Sequence, residues 1–258
     1  MLVSALLFTV LTFGMSSQDA AYGAGAKRSE QVCAAAQAEP LPFGFERPII
    51  IGEFHGTEQT EPLVIAIICQ ALEKGHTVTF AVEVPPTALG EASGSAESDA
   101  FWTGPADGRS SVSMHRLLEQ LSPLQVDGSL KIVGFRLQVP WAQLGAASAG
   151  YIRQQARESD VVVVLAGNFH AARAASEEEV QTLATAIGDS VNVRIANSRP
   201  GTAWACVPAC GIQTLPGGSG PLPLGFNRVS AANGYDYFYV VDTYTASLPY
   251  RERVSVSP

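Results

Sequence analysis

Four side chains of this chain stand where strands should end. They are Glu53 and His55 after Ile49-Ile50-Ile51-Gly52, Glu83 at the end of the expected strand over residues 77–84, and His170 after Val161-Val162-Val163-Val164-Leu165-Ala166-Gly167. Two imidazoles and two carboxylates in a small volume can hold a divalent metal ion, or can move protons as general acid and base. The candidate catalytic residues and candidate metal ligands are therefore the same four, His55, Glu53, His170 and Glu83, with Glu58, Asn168 and Arg109 as supporting residues. Singly, each has a plainer reading: Glu53 as the cap of a following helix, His170 as a satisfied loop residue. Their common place at strand ends is what makes a site of them.

Only a particular architecture brings such distant residues together. Strands are expected over residues 49–54, 77–84, 130–137, 160–165, 191–196 and 235–243, and helices over 61–74, 113–121, 147–158 and 176–187. The strands read as continuous apolar runs rather than alternating ones, the pattern of strands buried on both faces. Strand and helix alternate, so the expected fold is α/β, with a mainly parallel central sheet flanked by helices. Ligands of such sheets bind at the carboxyl ends of the strands, where the four residues would converge. Gly52 and Gly167 leave room beside them.

The segments between these elements are less informative. Residues 87–110 are rich in Gly, Ser and Ala, carry Phe101 and Trp102, and suit an excursion over the sheet edge that could bring Arg109 or His115 to the site. His115 reads as well as a helix-surface residue, and His76 as a residue at a helix end. Phe101, Trp102 and Trp141 suit an apolar pocket or the core. A Gly/Pro-rich loop is expected to run from the fifth strand through Gly225.

Composition narrows the class further. The chain has 258 residues, enough for a single α/β domain over residues 48–258, preceded by a loosely attached lead-in over 27–47. Residues 1–26 are apolar and end in Ala24-Gly25-Ala26, like a signal peptide, although no Lys or Arg precedes the run. The expected location is periplasmic or secreted, with no stable membrane span after cleavage. A formal charge of −8 without any basic run disfavours nucleic acid as a partner. In an oxidising compartment Cys206 and Cys210 could close a small disulfide, Cys33 and Cys69 being the other two thiols. A Gly-x-Ser-x-Gly elbow and a P-loop are both missing from the sequence, which disfavours a serine nucleophile and nucleotide binding.

Four motifs carry a family resemblance. Gly52-Glu53-Phe54-His55-Gly56-Thr57-Glu58, Ala81-Val82-Glu83-Val84-Pro85, Gly167-Asn168-Phe169-His170 and Tyr235-Asp236-Tyr237-Phe238-Tyr239-Val240-Val241-Asp242 resemble the spaced motifs of the erythromycin-esterase, ChaN and Tiki/TraB superfamily, over about residues 48–248. The resemblance implies an α/β fold whose site gathers Glu53, His55, Glu83 and His170. Tiki-like members resemble metal-dependent peptidases, erythromycin esterases are hydrolases in which a histidine activates water, and ChaN-like members are associated with haem binding or iron uptake. This chain is shorter than typical erythromycin esterases, and the branch stays open. The expectation is an exported hydrolase of an ester or amide in a small molecule or peptide, acting with or without a divalent metal. The alternative is a haem- or metal-binding uptake protein without turnover.

Overall fold

The computed structural model describes residues 31–34, 39–89, 96–104, 107–126, 128–173, 181–206 and 209–250. The expected signal peptide lies outside them. The elements run β1 (Ile49–Glu53), α1 (Thr60–Glu73), β2 (Val78–Val82), α2 (Ala96–Thr103), α3 (Val112–Val126), β3 (Leu130–Gly134), α4 (Trp141–Gln155) and β4 (Val161–Gly167). They continue as α5 (Asn168–Ala171), α6 (Leu183–Ile187), β5 (Val191–Asn197), β6 (Gly201–Cys206), β7 (Cys210–Leu215), β8 (Gly225–Arg228) and β9 (Tyr237–Val241).

Seven strands form one sheet in the order β3-β2-β4-β1-β5-β9-β8, all parallel except β8, which runs antiparallel to β9. The fold is α/β, with helices over the sheet. Every residue of β1 and β2 is buried. Successive side chains of a strand leave by opposite faces, and the core divides accordingly. Ile49 and Ile51 join one buried cluster with Phe80, Val163 and residues of α1 and α3, whereas Ile50 joins the other with Ala81, Val164, Ala149 and Ile152.

Several elements depart from expectation in extent. The third strand stops at Gly134, so that Phe135 and Arg136 lie beyond it. Helix α4 starts at Trp141, directly after Pro140, whose fixed φ suits a helix start. Helix α3 continues past Pro123 to Val126 because Leu117, Leu121 and Leu124 all pack into the core. The helix expected over 176–187 is described only as Leu183–Ile187, and its acidic start lies outside the described residues.

The stretch expected to be a loop up to Gly225 instead holds the β6–β7 hairpin, joined at its tip by a Cys206–Cys210 disulfide. The hairpin docks on the loop after β1, where Trp204 donates its backbone N–H to Gly56 at 2.9 Å. The lead-in is better tied than expected. Cys33 forms a disulfide with Cys69 of α1, and the backbone N–H of Leu41 donates to Gln70 at 3.3 Å. Among the described residues no helix is long and apolar enough to cross a membrane.

Candidate active site

The site begins with strand parity. Glu53 continues the row of Ile49 and Ile51, so its carboxylate emerges on the side covered by α1. There Thr60, the first residue of α1, donates its hydroxyl to Glu53 Oε2 at 2.5 Å. The other oxygen, Oε1, lies 2.8 Å from His55 Nδ1. One carboxylate is thus clamped from both sides and fixes the imidazole two residues later.

Glu83 follows β2 and carries the second carboxylate. Its Oε2 accepts the backbone N–H of Gly167 at 2.8 Å and lies 3.6 Å from His55 Nε2. Its Oε1 accepts from Arg109 Nε at 3.1 Å, with Arg136 Nη1 at 3.6 Å and His170 Nε2 at 4.0 Å. Only glycine at position 167 admits this assembly, because a Cβ there would stand 2.7 Å from His55 Nε2. The loop bearing Arg109 comes equally close, since a Cβ on Gly108 would lie 2.9 Å from the His55 carbonyl carbon.

The two imidazoles meet the same carboxylate in opposite states. Burial works against charge on His55, but the hydrogen bond to Glu53 and the contact with Glu83 outweigh it and push its pKa up to about 9. Burial pushes the pKa of His170 down, and although Glu83 opposes this, Arg109, His55 and Arg136 add to it. At neutral pH His55 is therefore a cation and His170 a neutral base. Burial alone would raise Glu83, yet His55 and Arg109 hold its carboxyl well below the usual carboxylate range.

A narrow cavity of about 10 Å³ lies against His170, Glu83, Arg136 and Ser148, walled by Phe135 and Leu144. That is room for about one water molecule. Beside it Trp141, 48% exposed, stacks on Phe169 with ring centroids 5.5 Å apart and lies 4.9 Å from the His170 ring.

Glu53, His55, Glu83, His170 and Arg109 are thus brought together, and Arg136 joins them unforeseen, hidden in what read as the interior of the third strand. Glu58 does not take part. It faces Arg116 of α3, with Nη2 at 3.4 Å. Asn168 opens α5 with its Oδ1 buried and unpartnered. His115 lies on α3, stacked on Tyr250 and 3.4 Å from Glu119. His76 closes the end of α1, its backbone N–H donating to Ala71.

The donor set as placed does not fit a divalent metal. Both oxygens of Glu53 and both of Glu83 already face protein donors, and two guanidinium groups bring positive charge to Glu83. Among the described residues no group of three His, Cys, Asp or Glu side chains is arranged to hold a metal ion.

No protein-family model matches the chain, and no curated protein sequence matches it. A crystal structure of a Bacillus cereus protein is similar over 87% of this chain and 99% of its own, with a TM-score of 0.50 and 9% identity. Likeness at that identity is a likeness of fold.

Proposed function

We propose that the chain is an exported hydrolase of the erythromycin-esterase, ChaN and Tiki/TraB superfamily, cleaving an ester or amide by histidine-activated water without a metal. The observation that carries this reading is the Glu83 carboxylate flanked by two imidazoles of opposite protonation, His55 at 3.6 Å and His170 at 4.0 Å. The Cys33–Cys69 and Cys206–Cys210 disulfides support export, because such bonds persist in oxidising compartments.

In the proposed reaction neutral His170 accepts a proton from water as the water oxygen bonds to the substrate carbonyl carbon. His170 makes no hydrogen bond among the described residues that would compete for its lone pair. Imidazolium His55 and Arg109 offset the charge of the Glu83 carboxylate, which leaves Arg136, lining the same cavity as His170, to stabilise the tetrahedral oxyanion. As the bond from carbon to the leaving group breaks, His170 returns the proton to the departing alkoxide or amine. Water is consumed, and a carboxylic acid and an alcohol or amine are released. Glu53 and Glu83 act as positioning residues that keep His55 charged and in place.

The test is hydrolysis of a panel of nitrophenyl esters and peptide amides by purified protein. His170→Ala and His55→Ala should each lower kcat/KM by at least about 100-fold with unchanged circular dichroism. Full activity in both variants would overturn the reading. So would a Soret band on haem addition, lost in both variants, together with no hydrolysis of any substrate.

A further inference from the structure

Residues 245–250 cross both the loop that follows β1 and the loop that leads into α3, and they bond to each. On the first side, Glu58 donates its backbone N–H to Thr245 O at 3.0 Å, Thr57 and Ala246 form an antiparallel bridge, and Ser247 donates its N–H to Gly56 O at 2.8 Å. On the second, Val112 donates to Leu248 O and Tyr250 donates to Ser110 O, each at 2.9 Å. The segment straps the turn after His55 to the turn after Arg109.

Ser247 engages both sides at once. It is fully buried, and its Oγ accepts the backbone N–H of Ser113 at 2.9 Å. The first amides of a helix have no partner within it, and in α3 those of Val112 and Ser113 are met by the strap, whereas Met114 donates to Ser111 Oγ at 3.3 Å. A distant part of the chain thus sets where α3 begins. Arg109 stands just before that start, and Gly108 beside it is pressed on the first loop, since a Cβ there would lie 2.8 Å from Gly56 N.

The guanidinium of Arg109 donates through Nε to Glu83 Oε1 at 3.1 Å and through Nη1 to Asp107 of its own loop. The bond to Asp107 moves with the loop and cannot anchor it. If Arg109 withdrew, Arg136, whose Nη1 is 3.6 Å from the same Glu83 oxygen, would be drawn onto the carboxylate. We infer that Ser247 is a positioning residue of the site: by capping α3 and holding Gly56 it keeps Arg109 on Glu83 and leaves Arg136 at the cavity beside His170. The effect on turnover rests on the hydrolase reading, whereas the placement of Arg109 does not.

The test follows the Arg109 Nε–Hε signal in nitrogen–proton correlation spectra, assigned by its loss in Arg109→Lys. In the wild type this signal should be displaced from that of free arginine and exchange slowly with water. Ser247→Ala removes the acceptor for Ser113, so the signal should move toward the free position and exchange about tenfold faster. An unmoved signal with unchanged exchange in folded Ser247→Ala overturns the inference. Where Ser247→Ala does not fold, Ser247→Cys, which replaces the hydroxyl by a weak acceptor, is judged by the same two readouts.

Kinetics on the best ester substrate separate positioning from general support of the fold. Ser247→Ala should lower kcat about tenfold with KM little changed, and should cost nothing further when Arg109→Gln is already present. An equal loss in both backgrounds would show that Ser247 acts elsewhere and overturns the inference. A wild type that hydrolyses nothing defeats the hydrolase reading alone, because the Arg109 signal decides the placement without substrate.

Discussion

Gly167 donates its backbone N–H to the Glu83 carboxylate at 2.8 Å, joining the end of β4 to the residue that follows β2. The same residue lies against His55, because its missing side chain is the space the imidazole occupies. Gly167→Ala should therefore push His55 aside while leaving the strand pairing intact. A displacement on the order of 1 Å should cost about 100-fold in kcat/KM, measured on the best ester substrate, with thermal melting confirming the fold.

The opposite states of the two histidines set the pH profile. Hydrolysis should rise as His170 loses its proton, below the ordinary value of 6.5, and fall as His55 loses its proton near about 9. Glu53 and Glu83 face His55, while Glu83, Arg109, His55 and Arg136 face His170. Glu53→Gln removes one of the partners that keep His55 charged, so the alkaline limb should move to lower pH. A profile with no alkaline limb, or one unmoved in Glu53→Gln, would count against the assignment.

Stability should carry the mark of the same pair. The folded-state pKa of His55 lies above its unfolded value, so the stability it confers is full below about 6.5 and lost as pH rises through about 9. The shift corresponds to a contribution on the order of 3 kcal/mol. Urea midpoints of wild type should fall between these pH values, and those of His55→Gln should fall less.

Trp141 is half exposed beside His170, and stacking on Phe169 holds its ring in place. Trp141→Ala should raise KM several-fold for esters with a bulky apolar group and change kcat little. An unchanged KM would show that substrates approach from another side.

A metal-free site predicts indifference to chelators. Dialysis against a strong chelator, followed by elemental analysis, should leave hydrolysis unchanged. Loss of activity that zinc or manganese restores would reverse the proposed mechanism.

The strand ends were legible because buried parallel strands are written as unbroken apolar runs, and a carboxylate or imidazole after such a run stands out. Glu53, His55, Glu83 and His170 were found in this way. Arg136 was not, because the apolar run continues through Phe135 although pairing stops at Gly134. Glu58 follows the same motif as His55, but α3 presents Arg116 to it and draws it away. The β6–β7 hairpin was hidden by its Gly- and Pro-rich surroundings. What secures it is non-local, namely the backbone bond from Trp204 to Gly56 and the further one from Thr202 to Tyr244. The Cys33–Cys69 pairing was equally invisible, since connectivity does not follow from spacing.

The placement of β1 between β4 and β5 also orders events during synthesis. Until Val161–Gly167 has been made, the strand that carries Glu53 has no neighbour to pair with, and its second neighbour, Val191–Asn197, comes later still. The apolar Ile49-Ile50-Ile51 segment must wait unsheltered through most of translation, a period in which chaperone binding would find it. The chain therefore cannot assemble its site progressively from the N-terminus, and a truncated product ending before β4 should aggregate rather than fold.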